Sequence, residues 1–261
     1  MNRNIVDLAG FNDDGSQIGG RAVKSALRCI QILEILHSTR IGLRLRDISK
    51  LMHSPNSSVD YILKTLVETG HVHYSMEDRT YRLSPRIGLL GNWVDPMLIA
   101  DGPILRAMRE LHDATGHYVS LATPNGMMAE FIHVEIGDHP RETIALVGRS
   151  VSLLRSPVGI VLLTLVPDRE IANIVRRHNA APDHQAEPVQ LDRLKADIET
   201  IRQQGHAVKL GPQGWVLAIP LYRRGGSPLA ILLGTPASAE DIDVTSLLSR
   251  YQEIFSKLPV A

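Results

Sequence analysis

The sequence predicts an α+β protein of two domains, and three observations carry that prediction. Between residues 22 and 69, apolar side chains recur at helical spacing in three closely spaced segments, followed by two short strand-like runs around a polar turn. Beyond residue 100, strand-like runs alternate with helical stretches, a pattern that fits antiparallel strands with helices collected on one side. The chain has 261 residues, enough for two modest cores, and its 44% hydrophobic and 21% charged content excludes a collagenous or low-complexity polymer.

The first 20 residues carry Asp7, Asp13 and Asp14 without a long apolar run, so we expect a disordered lead-in rather than a secretory signal. From Ala22 to His37, the residues Ala26, Leu27, Ile30, Leu33 and Leu36 line up as the apolar face of a first helix. After the break at Gly42, Leu45, Ile48, Leu51 and Met52 point inward from a short helix over Arg44 to His53. Ser54 and Pro55 read as an N-cap and first-turn proline. They open a third helix that runs to Thr69, buries Val59, Ile62, Leu63 and Leu66, and stops at Gly70. His71 to Tyr74 and Thr80 to Leu83, joined by Ser-Met-Glu-Asp, form a hairpin. Three helices and a terminal hairpin make a winged helix-turn-helix, in which the third helix enters the major groove of DNA.

Arg86 to Ala100 reads as a connecting helix, with Pro96 and Pro103 as breaks. Further helices fit Ile104–Ala114, Val158–Leu165, Asp168–Arg177, Leu191–Gln204 and Ala239–Leu258. Strands fit Tyr118–Ala122, Ala129–Glu135, Thr143–Val147, Ala207–Leu210, Trp215–Leu221 and Leu229–Gly234, with Pro124-Asn125-Gly126 as a hairpin turn. The expected division is residues 1–20 disordered, 21–85 winged helix-turn-helix, 86–101 linker and 102–261 the larger domain.

Charge separates the same two parts. The formal net charge is zero, yet Gly20 to Arg86 holds eleven basic against six acidic side chains, whereas Ile87 to Ala261 holds 16 against 19. A compact basic module joined to a mildly acidic one suits a nucleic-acid reader attached to another function, although a solvated basic face has the same composition. On the third helix the outward positions are Asn56, Ser57, Asp60, Tyr61, Lys64 and Thr65, with Ser58 between the faces. Asn, Ser and Tyr hydrogen-bond bases or phosphates, while a carboxylate at Asp60 is repelled by phosphate unless it accepts from a cytosine amine.

Other chemistries find little support. The single cysteine, Cys29, excludes an internal disulfide and lies among apolar neighbours without a base, so it reads as a packed thiol in a reducing compartment. His133 and Glu135 share a strand face near Asp138 and His139, and His71 pairs with His73, but neither spacing forces three or four ligands to converge. There is no GxSxG, P-loop or GxGxxG, so we expect neither an enzyme nor a cofactor. The longest apolar stretch, Val158 to Val166, is far below the roughly 20 residues of a membrane helix, and the expected location is cytoplasmic.

The run RAVKSALRCIQILEIL, continued by LRLRDISKLMHSPNSSVDYILKTLVETGHVHYSMEDRTYRLSPRIGLLG, resembles the IclR family of bacterial transcriptional regulators. Ile104–Gly116, Val147-Gly148-Arg149, Ser156 with Gly159, Arg202–Val208 and Leu217–Pro220 resemble motifs of that family's effector region, extending the similarity to the C-terminus. The resemblance implies a GAF-like second domain, a double-stranded DNA operator as partner, a small organic acid or aromatic effector, and a homodimer or dimer of dimers using the linker helix. Where the family usually carries Lys-Ser-Thr-Val-x-Arg, this chain has Asn56-Ser57-Ser58-Val59-Asp60-Tyr61, so either the operator differs or affinity depends more on Arg44, Arg46, Arg79 and Arg82. The expected DNA-binding set is therefore Arg44, Arg46, Asn56, Ser57, Ser58, Tyr61, Lys64, Arg79 and Arg82.

In the effector half, Ile160 stands at a frequent lysine and Val216 at a frequent Cys or Ser, and the segment from Gly205 to Pro220 is about three residues short. The most ligand-like feature is Arg155-Ser156-Pro157-Val158-Gly159: a capped helix start beside a cation, suited to a carboxylate, although an ordinary cap looks the same. Trp215 and Val216 are expected to wall the same cavity or to serve the core. The expected effector-binding set is Arg155, Ser156, Gly159, Trp215 and Val216.

Overall fold

The computed structural model describes residues 23–39, 41–91, 98, 102–136, 147–180, 187–211, 214–222, 227–234 and 243–258. It divides into two compact units, Met1–Ile99 and Ala100–Ala261. The expected disordered lead-in lies outside the described residues.

In the first unit, α1 (Lys24–Thr39), α2 (Leu45–Leu51) and α3 (Asn56–Glu68) precede a hairpin of β1 (Val72–Ser75) and β2 (Thr80–Leu83), and α4 (Pro85–Gly91) follows. Ile32, Leu36, Ile48, Val59, Leu63, Leu66 and Val72 form its core. The α1 stripe is rotated from the expected one: Ile32, Ile35 and Leu36 are buried, whereas Ile30 is 51% exposed and Ala26 is exposed. Two overlapping apolar stripes run along this helix, and packing against α3 selects the one that continues through Cys29 and Leu33. Leu51 also faces outward at 38% exposure.

The start of α3 is shifted by one residue. Pro55 takes the N-cap position, with its carbonyl accepting from Ser58 and Val59, while Ser54 Oγ donates to Met52 O. The α2–α3 turn passes through His53 at φ 49, a left-handed conformation unusual for a side-chain-bearing residue. At the other end Gly70, at φ 75, and the His71 N–H bonded to Leu66 O close the helix as expected. The wing gains an unforeseen contact, since Leu43 exchanges both backbone hydrogen bonds with Tyr81.

The second unit holds one antiparallel sheet in the order β5-β4-β3-β8-β7-β6. Its strands are β3 (Tyr118–Asn125), β4 (Met128–Glu135), β5 (Ser150–Ser152), β6 (Ala207–Gly211), β7 (Gly214–Leu221) and β8 (Leu229–Gly234). Its helices are α5 (Pro103–Thr115), α6 (Pro157–Leu163), α7 (Asp168–Asn179), α8 (Leu191–Gln204) and α9 (Val244–Phe255). The α+β class holds, but the helices do not collect on one side. Ala218, Ala230 and Leu232 join the cluster under α6, α7 and α8. The alternate residues Leu217, Ile219, Ile231 and Leu233 are equally buried and point the other way, toward the paired α5 and α9. Strands buried on both faces need helices on both faces.

Smaller corrections follow from local chemistry. Pro103 occupies the first turn of α5 instead of breaking a helix. Pro124 and Asn125 end β3, and Gly126 at φ 59 makes the turn with Met127. Of the strand expected at Thr143–Val147, residues 143–146 lie outside the described residues, and Val147 and Gly148 form a turn ahead of β5. The connecting helix is described only as α4, and most of the rest of the span to Ala100 lies outside the described residues.

Candidate nucleic-acid interface and effector cleft

The structure exposes the side chains that periodicity put on the outer face of α3. Asn56, Ser57, Tyr61 and Lys64 are exposed along α3, Tyr61 to 76%. Ser58 instead turns toward α1, where its Oγ accepts from Arg28 Nη1 at 3.0 Å. Asp60 and Lys64 pair at 2.7 Å, one helical turn apart. The Asp60 carboxylate raises the Lys64 pKa, so the ammonium stays charged. Arg44 sits at the N-cap of α2, and Arg46 lies 3.5 Å from Asp47.

At the wing tip Arg79 takes a left-handed conformation at φ 56 and is exposed. Asp78 Oδ1 accepts from Thr80 Oγ1 at 2.8 Å and Oδ2 from Arg82 Nη2 at 3.3 Å. Hydrogen bonds from Ser75 and Thr80 outweigh desolvation and, with the Arg82 charge, hold the Asp78 carboxyl below its usual range. Tyr81 packs on Tyr74 with ring centroids 4.8 Å apart, and burial pushes its phenol up. The carboxylate partners of Lys64 and Arg82 were the part of this face not foreseen in pairwise detail. The i,i+4 spacing of 60 with 64 and of 78 with 82 was the signal available for them.

In the second unit a cleft of about 380 Å³ opens between α6, α8 and β6. Arg155, Pro157, Ile160, Lys209 and His206 line it, facing Asp197, Thr200 and Gln204 of α8. Arg155 also donates to Glu187 O. The expected residues separate here. The Ser156 hydroxyl caps α6 by accepting from Gly159 N–H at 3.0 Å and donates to Ser152 O at 2.6 Å, so its donor proton is already engaged. Gly159 is buried, and any Cβ there would collide with the Leu153 and Ser152 carbonyls, so its smallness serves the seating of α6. Val216 packs against the core under α6, while Trp215, its neighbour on an unbulged strand, points to the opposite sheet face. The two cannot wall one cavity.

The row of paired residues Lys209, Val216, Gly234 and Tyr118 crosses the sheet on the α6 side. The Tyr118 ring lies over Gly234 where a side chain would otherwise stand. Sequence reasoning missed Lys209, His206 and the α8 residues because their convergence depends on how α8 packs beside β6. Arg202, noted only as part of a motif, donates to Thr164 O, Val166 O and Asp168 Oδ1, tying α8 to the end of α6.

On the other face, His133 Nε2–H donates to Glu135 Oε1 at 2.9 Å, with Arg109 Nε 3.8 Å from the same oxygen. Burial raises the Glu135 pKa, but the His133 hydrogen bond and the charges of His133, Arg109 and His112 outweigh it and hold the carboxyl low. Among the described residues, no group of three or more His, Cys, Asp or Glu side chains is placed to hold a metal. Asp138 and His139 lie outside them.

Two family profiles match the chain in sequence order. Residues 25–75 match the IclR helix-turn-helix domain, and residues 103–237 match the domain described as bacterial transcriptional regulator IclR C-terminal. The chain belongs to the IclR family. It is a DNA-binding transcriptional regulator with a C-terminal effector-binding domain. A curated relative, the HTH-type transcriptional regulator XynR of Escherichia coli K12, is 23% identical over 236 residues, covering 88% of this chain and 94% of that protein.

Among solved structures, an IclR homolog from Microbacterium hydrocarbonoxydans complexed with 4-hydroxybenzoate superposes with TM-score 0.60 at 16% identity, covering 89% of this chain and 96% of that one. An IclR-type regulator from Alicyclobacillus acidocaldarius gives TM-score 0.56 at 20% identity, covering 91% and 98%. At such identities the structural likeness carries the fold alone. In this chain α3 has a net formal charge of −1, from Asp60, Lys64 and Glu68, and the cations lining the cleft are Arg155 and Lys209.

Proposed function

We propose that this regulator reads a two-fold operator as a homodimer or dimer of dimers, and that a small organic acid bound in the C-terminal cleft alters operator affinity. In this reading residues 21–85 form the reader, 86–101 the linker and 102–261 the effector and oligomerisation part, in a cytoplasmic protein. Tyr61, Asn56 and Ser57 face base edges, with Ser58 near the helix start. Arg44, Arg46, Arg79 and Arg82 face phosphate, together with Lys64 when it is released from Asp60. The observation that carries the effector reading is the joining of Arg155 and Lys209 with apolar Pro157 and Ile160 in one cleft of ligand size. A carboxylate at the two cations leaves an apolar or aromatic body against Ile160 and toward Val216, and the 4-hydroxybenzoate in the Microbacterium relative is a ligand of that kind. Gly159 and Ser156 support the site by seating α6, and Trp215 acts from the opposite face of the sheet.

Operator selection with the full chain, followed by calorimetry with 4-hydroxybenzoate and a panel of short and aromatic acids, tests the reading. Arg155→Ala and Lys209→Ala should each weaken a hit about tenfold or more, since charge-assisted bonds to a carboxylate are worth roughly 1.5–3 kcal/mol. A hit that binds both variants unchanged displaces the site. Tyr61→Ala should alter sequence preference while Arg79→Ala weakens all duplexes alike, and equal losses of Tyr61→Ala on cognate and scrambled DNA would remove the base-reading role.

A further inference from the structure

Three of the five cations proposed above to face DNA carry carboxylate partners from their own chain. Lys64 is held by Asp60 at 2.7 Å, Arg82 by Asp78 at 3.3 Å, and Arg46 lies 3.5 Å from Asp47. All three pairs are largely exposed; the Lys64 side chain is 66% and the Arg82 side chain 59% accessible. Exposed pairs of this kind contribute little to folding stability, so their placement calls for another account. The side chains available for base contact, Asn56, Ser57 and Tyr61, are neutral, and α3 as a whole has one more acid than base.

We propose that Asp60 and Asp78 are specificity-determining residues that act as built-in counter-charges, competing with DNA phosphates for Lys64 and Arg82. Binding to random duplex rests almost wholly on cation–phosphate contacts and counterion release. A phosphate that engages Lys64 must first break the Asp60 pair, and it then faces the freed carboxylate. The penalty falls in full on random duplex, where affinity comes from recruiting these cations to phosphate; on the operator the neutral base contacts of α3 hold the helix in one register in which the Asp60 and Asp78 pairs can stay intact, so the device subtracts mainly from non-specific binding. Asp78 suits the role because Thr80, a 9% exposed residue at the base of the wing turn, fixes its other oxygen at 2.8 Å. Asp60 lies on the flank of α3 turned toward the wing, where its charge acts on Tyr81 as well as on Lys64.

The inference rests on the placement of α3 and the wing at the duplex proposed above. Its test uses the full chain and fluorescence anisotropy on a scrambled duplex and on the selected operator, over about 50–200 mM salt. Asp60→Asn should bind scrambled DNA roughly three- to tenfold tighter, with a salt slope steeper by about 0.9, the increment for one added phosphate contact. Operator affinity should gain less, so the specificity ratio falls several-fold, and Asp78→Asn should act the same way through Arg82.

Lys64→Met should erase the gain in Asp60→Asn and should weaken scrambled-duplex binding less when Asp60 is present than when it is asparagine, a coupling that a merely structural Asp60 would not produce. Asp60→Ser serves as a second variant should the asparagine retain a hydrogen bond to Lys64. Unchanged affinity and slope in both Asp60 variants and in Asp78→Asn, with Tyr61→Ala and Arg79→Ala still weakening DNA binding, would overturn the counter-charge role alone. Equal gains on operator and scrambled DNA would overturn it too. Insensitivity of Tyr61→Ala and Arg79→Ala would instead remove the placement on which it stands.

Discussion

The two units build their recognition surfaces in opposite ways. All residues assigned to the duplex lie between 44 and 82, most of them on one helix or one hairpin, and they stay outside the core. The cleft of the second unit draws on residues 155–160, 197–204 and 206–209, which meet only because α6, α8 and β6 pack together. A face carried by one anchored helix keeps its geometry while the anchor holds. A cleft carried by three elements depends on their spacing, and the close approaches at Gly159 and Arg202 show how that spacing is kept.

The sharpest way to separate the two is to break one anchor at a time. Leu63 is fully buried in the small core of the first unit, and Leu63→Ala should cost about 2–5 kcal/mol. Such a loss exceeds what a core of this size tolerates. Operator binding should vanish while a melting transition for the second unit and its acid binding persist; a single, unchanged melt would break the comparison. Gly159→Ala is the counterpart. Its methyl would meet the Leu153 and Ser152 carbonyls, at a cost of about 1–3 kcal/mol. The expected result is weakened effector binding with operator binding intact in the absence of ligand, read by calorimetry and anisotropy on the same preparation.

Acid should distinguish the units next. Burial, followed by the charge of His112, lowers the His117 pKa from the ordinary 6.5. A histidine with a lowered folded pKa contributes stability that is present above its unfolded value and lost as pH falls below about 6.5. Glu135, also held low, adds a loss further down, as pH falls below its ordinary 4.5. The second unit should therefore begin to lose melting temperature as pH falls below about 6.5, and His117→Gln should flatten that slope. In the first unit the lowered Asp78 acts only below its ordinary 3.8, and the raised Lys64 only at alkaline pH, as its contribution is lost when pH rises through its folded value. An equal response of both units as pH first falls below 6.5 would count against this account.

The smallest effect expected is at the α2–α3 turn. His53 holds φ 49, which glycine adopts without a steric penalty. His53→Gly should leave the first unit unchanged or raise its stability by up to about 1 kcal/mol, measured by denaturant unfolding. A loss greater than that would mean that the imidazole itself contributes.

Legibility in the sequence followed the same division. The faces of the third helix were readable, though each end moved by one residue, because Val59, Leu63 and Leu66 lie on a single apolar stripe, so the outward face of Asn56, Ser57, Tyr61 and Lys64 follows by elimination. The first helix was not, because Ala26 and Ile30 offer a second stripe that periodicity cannot rank against Ile32 and Ile35. Trp215 and Val216 looked like neighbours in one wall, and the pleat sends them to opposite faces. Gly159 and Gly234 carried no local signal of their roles, since what occupies their side-chain space is the 152–153 backbone for the first and, for the second, the Tyr118 ring, 116 residues away in sequence.

Local chemistry along the chain determined the helices, the wing, the division of charge between the two parts, the outward face of α3 and the carboxylate partners of Lys64 and Arg82, because each depends on contacts within a few residues or one helical turn. The helices on both sheet faces, the stripe that α1 buries and the junction of Arg155 with Lys209 were decided by tertiary structure. Each is a choice among arrangements that local propensity leaves nearly equal in energy, and only the burial of apolar area between distant segments breaks that near-equality.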